Sequence, residues 1–158
     1  GEQALDDFFV KHALANDARG IGRTYVLRRS EAEPPTMPPV LGYYTLSMSS
    51  VTSSSLSSVI KEKLPRYRMP AALIARLAAD ERTRGSGLRV GETLLMDALA
   101  RIAAVADVLG CIGVITDAKN EPAESFYSKY DFTTVEDQHW PRRMFLPMST
   151  VRALFDGL

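Results

Sequence analysis

Residues Ala71–Leu99, AALIARLAADERTRGSGLRVGETLLMDAL, decide the fold of this chain. The near-continuous apolar run Ala71–Ala78 predicts a strand that is covered on both faces. A glycine-punctuated loop, Arg84–Arg89, then opens into a helix predicted over Leu88–Leu109. Unpaired backbone N–H groups and the positive end of the helix dipole meet at such a junction. Because glycine lets an anion approach closely, the junction predicts a phosphate or pyrophosphate site.

The glycine spacing in this loop does not match the commonest phosphate motifs. It lacks the Lys-Ser/Thr ending of a nucleotide P-loop, and Gly85, Gly87 and Gly91 do not fit the dinucleotide pattern G-x-G-x-x-G. Residues Arg82–Gly87 (RTRGSG) instead resemble the Arg/Gln-x-x-Gly-x-Gly/Ala signature of the GNAT N-acetyltransferases, which bind the pyrophosphate of acetyl-coenzyme A (acetyl-CoA). An ordinary strand–turn–helix connection, whose glycines serve only the turn, is the alternative.

A second segment, Asn120–Phe132 (NEPAESFYSKYDF), follows a strand predicted over Cys111–Thr116. Asn120 suits a helix N-cap, and Pro122 suits the first helical turn. Four side chains then recur at helical spacing, namely Ala123, Phe126, Tyr127 and Tyr130. By itself this pattern favours Tyr127 as a packed aromatic with a satisfied hydroxyl. The segment nevertheless resembles the Asn…Ala-x-x-Phe-Tyr…Phe signature of the same family.

Composition fits a compact enzyme. A chain of 158 residues with 46% hydrophobic content predicts a single domain, residues 1–158, with a core of its own. The 19 basic and 19 acidic residues balance, so no overall field attracts nucleic acid or an anionic membrane. No signal peptide or membrane span is apparent, which predicts a cytoplasmic protein without membrane contact.

The chain has few residues that could form a disulfide or bind a transition metal. Cys111 is the single cysteine, which excludes an intrachain disulfide; its apolar surroundings predict a buried thiol within a strand rather than a nucleophile. His12 and His139 are the two histidines, so we expect no metal site.

The other elements follow from periodicity and punctuation. We predict helices over Leu5–Leu14 and Thr150–Phe155, a helical turn at Ile60–Leu64, and strands over Arg23–Arg28, Val40–Ser47, Phe132–Val135 and Met144–Pro147. Glu31–Pro39 carries four prolines and is expected to be an exposed, stiff connection. This order favours an α/β or α+β sheet with helices on both faces.

Further matching strings, spread along nearly the whole chain, narrow the resemblance to one branch of this family. The matching strings are Leu5–Phe9, Arg23–Leu27, Gly42–Ser47, Ala75–Asp80, Arg84–Leu88, Asp97–Leu99 and Ala123–Tyr127. On these strings the chain resembles the tRNA-acetylating GNAT toxins of bacterial toxin–antitoxin modules. That resemblance implies a GNAT fold whose mixed sheet is splayed between the 71–78 and 111–116 strands. It also implies acetyl transfer to the free α-amine of aminoacyl-tRNA, which stops translation.

The resemblance further implies partners and site residues. The expected partners are a ribbon-helix-helix antitoxin, a second copy in a homodimer, and operator DNA bound only through the antitoxin. Tyr127 would act as the general acid that protonates the departing thiolate. A strand N–H near Leu77 would polarise the thioester carbonyl. The residues implied to bind acetyl-CoA are Leu77, Ala78, Ala79, Arg84, Gly85, Ser86, Gly87, Leu88, Arg89, Asn120, Ala123 and Phe126.

The chemistry of the implied acceptor amine is favourable. An α-amine has a pKa near 8, about 2.5 units below that of a lysine side chain, so it attacks without an assisting base more easily than lysine does.

The charge pattern suggests where tRNA would bind. Within residues 61–89 the basic side chains are Lys61, Lys63, Arg66, Arg68, Arg76, Arg82, Arg84 and Arg89, against Glu62, Asp80 and Glu81. We predict tRNA contacts at Arg66, Arg68 and Arg76. Coenzyme binding or solvated surface is the alternative for these arginines.

Three positions depart from the family pattern. Arg89 stands where glycine is usual and would crowd the phosphates or add charge, Ser86 replaces a frequent basic residue, and Asp131 replaces a glycine that precedes Phe132. The start is also shorter than usual, so part of a first strand is expected to be absent.

Two other functions stay open. One is a GNAT enzyme that acetylates a small amine or a protein N-terminus. The other is a non-catalytic, CoA-binding corepressor that works with an antitoxin.

Overall fold

The computed structural model describes residues 3–56, 64–137 and 139–156. The helices are α1 Gln3–Lys11, α2 Ala13–Ala18, α3 Val90–Ala106, α4 Glu121–Ser128 and α5 Met148–Phe155. The strands are β1 Arg23–Arg28, β2 Val40–Val51, β3 Met69–Ala79, β4 Gly113–Ala118, β5 Thr133–Glu136 and β6 Arg142–Pro147. Short 3-10 turns occupy Ser53–Ser55 and Glu81–Thr83.

The described strands form one six-stranded sheet in the order β1-β2-β3-β4-β6-β5. Antiparallel pairing joins β1 to β2, β4 to β6 and β5 to β6. In the β4–β6 pair, Gly113 lies opposite Pro147 and Asp117 lies opposite Arg143. The mixed α/β sheet predicted from the sequence is therefore confirmed, while the splay between the 71–78 and 111–116 strands stays a prediction.

The chain divides into two compact units. The first contains the residues up to Ser47 together with Ile74–Leu99, and the second contains Met48–Leu73 together with the residues from Ala100 onward. The single domain expected over residues 1–158 stays a prediction.

In the first unit, helices cover both faces of β2. Tyr43 stacks on Phe8 and Phe9 of α1, with ring centroids 6.3 and 4.8 Å apart. The adjacent Gly42 faces the opposite side, where α3 packs against it, because successive residues of a strand alternate between faces. A Cβ on Gly42 would lie 2.6 Å from the Ala78 carbonyl oxygen and 2.8 Å from Leu94 Cδ1. Glycine is therefore required here to let strand and helix approach.

In the second unit, the core lies around β4 and β6. The buried cluster there consists of Val51, Leu56, Ala71, Ile115 and Phe145. Both α4 and α5 contact β4, so they hold this part of the sheet together.

The amino-terminal helix differs from its prediction. A single helix was expected over Leu5–Leu14, but the backbone breaks at His12, whose φ is −125°. Phe8 and Ala13 are five residues apart, which would place them about 140° apart around a continuous helix. Both are buried with Tyr43 in one cluster. The break at His12 brings the two residues to the same core, which no single helix would do.

Several other boundaries shift. β2 continues beyond Ser47 to Val51, since pairing within the sheet outweighs the weak strand propensity of serine. β4 begins at Gly113, so Cys111 lies before the strand and is only half-buried. The expected buried thiol is therefore wrong, and the Cys111 thiol donates to the Gly113 carbonyl at 3.3 Å. Most of the predicted turn Ile60–Leu64 lies outside the described residues.

Candidate active site

The turn after β3 is held by a single carboxylate. Asp80 accepts a hydrogen bond from the backbone N–H of Arg82 at 2.9 Å, which starts the 3-10 turn. The Arg82 guanidinium contacts the same carboxylate at 3.0 and 2.8 Å. These hydrogen bonds from Arg82 lower the pKa of Asp80. Arg82, the first residue of the predicted pyrophosphate signature, therefore stabilises the loop through Asp80 and does not extend toward a ligand.

Backbone N–H groups alternate between paired and unpaired through Arg84–Arg89. The N–H groups of Arg84, Ser86 and Leu88 donate within the loop, to Glu81 O, Thr83 O and Ser86 Oγ respectively. By contrast, those of Gly85, Gly87 and Arg89 donate to no acceptor in the described part of the chain.

The unpaired positions share a left-handed backbone. Gly85, Gly87 and Arg89 have φ values of 73°, 82° and 51°. A Cβ on either glycine would meet nothing within 4 Å, so the glycines are needed for their φ angles and the space beside them is open. Unpaired backbone N–H groups beside the start of a helix are suited to binding an anion.

Two departures from the family pattern have structural explanations. Arg89 keeps the left-handed conformation that glycine adopts easily, and its Nε pairs with Glu92 Oε2 at 2.5 Å across the first turn of α3. The Ser86 hydroxyl donates to Thr83 O at 2.5 Å and accepts from Leu88 N–H at 3.3 Å. Ser86 therefore shapes the loop by hydrogen bonding, a role that its residue type alone did not indicate.

The other coenzyme residues of the first unit lie at the end of β3. Leu77 and Ala78 are half-buried and Ala79 is exposed. Beside this end, α1 and the start of β2 enclose an open cavity of about 520 Å³. Its wall includes Phe9, Tyr43 and Ala79. This cavity could not be predicted from the sequence, because its wall comes from three separated segments.

Arg76 lies in the same unit, packed beneath α1. Its guanidinium carbon sits 3.6 Å from the centroid of the Phe8 ring, and the residue is half-buried. Nearby, burial raises the pKa of Tyr43 to about 12, although the positive charge of Arg76 acts in the opposite direction. The Tyr43 hydroxyl donates to Leu5 O at 2.7 Å. The Arg76 guanidinium is thus packed against the Phe8 ring, and it is not a freely solvated surface charge.

In the second unit, α4 holds the predicted general acid. The Asn120 side chain accepts from Ala123 N–H at 3.0 Å and caps the helix, as the sequence predicts. Asn120 and Ala123 are therefore used in starting α4. Phe126 packs edge-on against Tyr127, with ring centroids 5.2 Å apart. Asp131 adopts a φ of 69° just after the helix, in the left-handed region expected of the glycine that it replaces.

Tyr127 is buried, with 7% of its surface exposed. Its ring also contacts Phe132 at a centroid distance of 5.3 Å. Burial raises the pKa of the Tyr127 hydroxyl; a hydrogen bond with the Thr116 side chain lowers it, and the charge of Asp117 raises it further. The hydroxyl is therefore held protonated at neutral pH, the state that a proton donor needs.

Two of the arginines predicted to bind tRNA lie at the surface of the second unit. Arg66 and Arg68 are both exposed, and Arg68 donates to Ser50 Oγ at 2.8 Å. Lys61 and Lys63 lie outside the described residues.

Neither a metal centre nor a membrane span is found where the structure describes the chain. Within residues 3–56, 64–137 and 139–156, no three His, Cys, Asp or Glu side chains are grouped so as to hold a metal ion. No helix among these residues is long and apolar enough to cross a membrane.

A mixed sheet, a turn with unpaired N–H groups between strand and helix, and a buried tyrosine on the helix after the next strand are typical of the GNAT class of acyltransferases. A tRNA-acetylating toxin of Mycobacterium tuberculosis is 33% identical over 154 residues, which cover 98% of this chain and 86% of that protein. No protein-family model matches the sequence. The chain belongs to the tRNA-acetylating toxin family, and the predicted acetyltransferase class is confirmed.

Solved structures agree with this assignment. A tyrosine-to-phenylalanine mutant of KacT superposes with a TM-score of 0.85 at 29% identity, over 98% of this chain and 88% of that one. AtaT complexed with acetyl-methionyl-tRNAfMet gives a TM-score of 0.82 at 30% identity, with the same coverage. Other AtaT structures contain acetyl-CoA, the C-terminus of the antitoxin AtaR, or, as the AtaT–AtaR complex, DNA.

Proposed function

We propose that this chain is the toxin of a toxin–antitoxin pair and transfers acetyl from acetyl-CoA to the free α-amine of aminoacyl-tRNA, which blocks translation. The observation that carries the proposal is the set of three unpaired N–H groups, on residues with left-handed backbone, at Gly85, Gly87 and Arg89. Such a set at the start of α3 suits the pyrophosphate of acetyl-CoA. The tRNA-bound complex of the related AtaT supports the choice of acceptor.

Coenzyme binding uses the backbone of the first unit. The unpaired N–H groups and the dipole of α3 bind the pyrophosphate, while the end of β3 at Leu77–Ala79 binds the pantetheine arm through its backbone. A strand N–H near Leu77 donates to the thioester carbonyl oxygen and stabilises the negative charge that develops on it. In the second unit, the proposed coenzyme residues are Asn120, Ala123 and Phe126, from the capped start and the apolar surface of α4.

Acetyl transfer proceeds directly from thioester to amine. The neutral α-amine attacks the thioester carbon and forms the C–N bond; the C–S bond then breaks, and the amine loses a proton to solvent. Tyr127 gives its hydroxyl proton to the departing thiolate and is reprotonated from solvent. Since an α-amine has a pKa near 8, a useful fraction is neutral at physiological pH without a dedicated base.

The acceptor carries many phosphates, which the exposed cations Arg66 and Arg68 bind electrostatically. Arg76, stacked on Phe8, is a half-buried cation suited to a phosphate near the 3′ end. Because aminoacyl-tRNA is a cytoplasmic substrate, the activity is cytoplasmic.

The toxin is silenced by a ribbon-helix-helix antitoxin and forms a homodimer. Operator DNA is bound only through that antitoxin. The related AtaT, solved with its antitoxin AtaR and with the AtaT–AtaR complex on DNA, supports the antitoxin and DNA parts of this proposal.

The test is transfer of label from acetyl-CoA to a pool of charged tRNA, with uncharged tRNA as the blank. The parent chain should label aminoacyl-tRNA. Tyr127→Phe should lose about 10²–10⁴-fold in kcat, the range for a missing general acid. Tyr130→Phe, in a second tyrosine that packs edge-on against Phe126, is the matched control and should stay near the parent.

The alternatives predict different results. If small amines or peptides are labelled and charged tRNA is not, the acceptor is a small amine or a protein N-terminus and not aminoacyl-tRNA. Growth arrest that survives Tyr127→Phe would favour a non-catalytic corepressor and overturn the enzymatic proposal.

A further inference from the structure

The loop between β5 and β6 carries an exposed aromatic ring that the proposed mechanism does not use. Trp140 is 42% exposed, and it is the single tryptophan of the chain. The Arg142 guanidinium carbon lies 4.0 Å from its ring centroid, so one face of the indole is covered by a flat cation. The exposed area therefore belongs mainly to the opposite face and the ring edge.

This ring is anchored to the helix that carries Tyr127. Arg142 donates to Glu124 Oε1 at 3.2 Å, and Thr134 Oγ1 donates to Glu124 Oε2 at 3.0 Å. Glu124 lies on α4, three residues before Tyr127. One carboxylate thus joins both strands of the β5–β6 hairpin to α4.

The two arginines that follow Trp140 in the chain are each paired with a carboxylate. Arg142 is neutralised by Glu124, and the next residue, Arg143, contacts both oxygens of Asp117 at 3.0 and 3.1 Å. The surface therefore offers an aromatic plane with little net positive charge. A flat, neutral aromatic group is a better match for it than a phosphate.

We propose that Trp140, supported by Arg142, is the stacking platform for the 3′-terminal base of the acceptor tRNA. This rests on the proposed function. Unpaired RNA ends are bound mainly by stacking on aromatic rings and arginine planes. The terminal adenosine carries the aminoacyl ester, so a base held beside α4 positions the amine relative to Tyr127. Trp140 is a positioning residue, since it touches substrate without taking part in proton transfer.

Fluorescence of the single tryptophan tests this directly in the intact chain. Stacking of a base on an indole quenches its emission, so an uncharged RNA hairpin ending in single-stranded ACCA should quench it on titration. The same hairpin with a blunt end should not, and neither should acetyl-CoA. Quenching by acetyl-CoA instead would show that the coenzyme adenine occupies the ring. Either that result or no quenching by the ACCA hairpin would overturn the proposal.

Steady-state kinetics provide the second measurement. Trp140→Ala should raise KM for aminoacyl-tRNA about 5- to 100-fold, the effect of losing one stacked base, with KM for acetyl-CoA unchanged. Trp140→Phe keeps an aromatic plane and should stay within about threefold of the parent. Val108→Ala, which trims an exposed apolar side chain elsewhere in the second unit, is the control. An unchanged tRNA KM in Trp140→Ala would contradict the platform.

The two proposals fail separately. If the parent chain acetylates no charged tRNA but the ACCA hairpin still quenches, the acceptor assignment is wrong and the stacking platform stands. If acetylation proceeds and the hairpin does not quench, the platform is wrong and the activity stands.

Discussion

Tyr127 combines burial with a hydroxyl that retains its proton. Its pKa is raised above the usual value near 10, chiefly by burial. An acid with a raised pKa stays protonated further into the alkaline range, so it does not limit the rate at neutral pH. These are the two properties that the proposed general acid requires.

The raised pKa of Tyr127 determines the pH dependence that we expect for acetyl transfer. We expect kcat/KM for aminoacyl-tRNA to rise with pH through the α-amine pKa near 8 and to show no decline up to about pH 9.5. The measurement is initial rates from about pH 6 to 9.5, corrected for hydrolysis of the aminoacyl ester. A falling limb in this range that disappears in Tyr127→Phe would show that the Tyr127 pKa is not raised.

Arg89 supports a second residue-scale prediction. A side chain in the left-handed region costs roughly 1 kcal/mol or more, and the exposed Arg89–Glu92 ion pair recovers little of it. Arg89→Gly should therefore keep or raise the free energy of unfolding. Arg89→Ala retains the strain and loses the pair, so it should be less stable than Arg89→Gly. Thermal denaturation of both variants measures the difference in stability. If Arg89→Ala is more stable than Arg89→Gly, the backbone of Arg89 is not strained.

At the scale of elements, the start of α4 positions Tyr127. Asn120→Ala removes the side-chain cap and should lower the free energy of unfolding by about 0.5–2 kcal/mol. Because the cap also sets where the helix begins, kcat should fall as well. Asn120→Ser keeps an oxygen for the Ala123 N–H and serves as the matched control. Urea denaturation and kinetics of the two variants check this, and equal behaviour of Ala and Ser would exclude the cap.

The close approach of β2 and α3 gives a second element-scale prediction. Gly42→Ala would force a Cβ to within 2.6 Å of a backbone oxygen of β3, so it should cost about 1–3 kcal/mol of stability. Gly110→Ala is the control, since its nearest neighbour, Pro70 Cγ, would be 3.7 Å away. Chemical denaturation measures the free energy of unfolding of both variants. If Gly42→Ala is as stable as Gly110→Ala, the strand and the helix can move apart at little cost.

At the scale of the whole molecule, a net charge of zero means that tRNA binding depends on local cations. We expect KM for aminoacyl-tRNA to rise steeply from about 50 to 200 mM salt, while KM for acetyl-CoA changes less. Arg66→Ala and Arg68→Ala should each reduce the slope of log KM against log salt by about 1. Arg19→Ala, in an exposed cation of the first unit, is the control for lost charge. Slopes unchanged by all three variants would exclude Arg66 and Arg68 as phosphate contacts.

Much of the fold could be predicted because its signals are local. The bounds of Arg23–Arg28, the cap at Asn120 and the loop at Arg84–Arg89 each depend on residues that are neighbours along the chain. The break at His12 and the extension of β2 to Val51 could not be predicted, since both depend on packing against distant segments.

The sequence by itself determined the class of protein, the turn that suits a pyrophosphate and the helix that carries Tyr127. The class depends on the family resemblance of motifs along the chain, whereas the turn and the helix depend on glycine positions, caps and periodicity, which act over a few residues. Only the tertiary structure decided which loop N–H groups stay unpaired, that Arg76 lies on Phe8, and that Trp140 is joined to α4 through Arg142 and Glu124. The physical reason is that stacking and ion pairs join side chains far apart in the chain, and their partners exist only once the chain is folded.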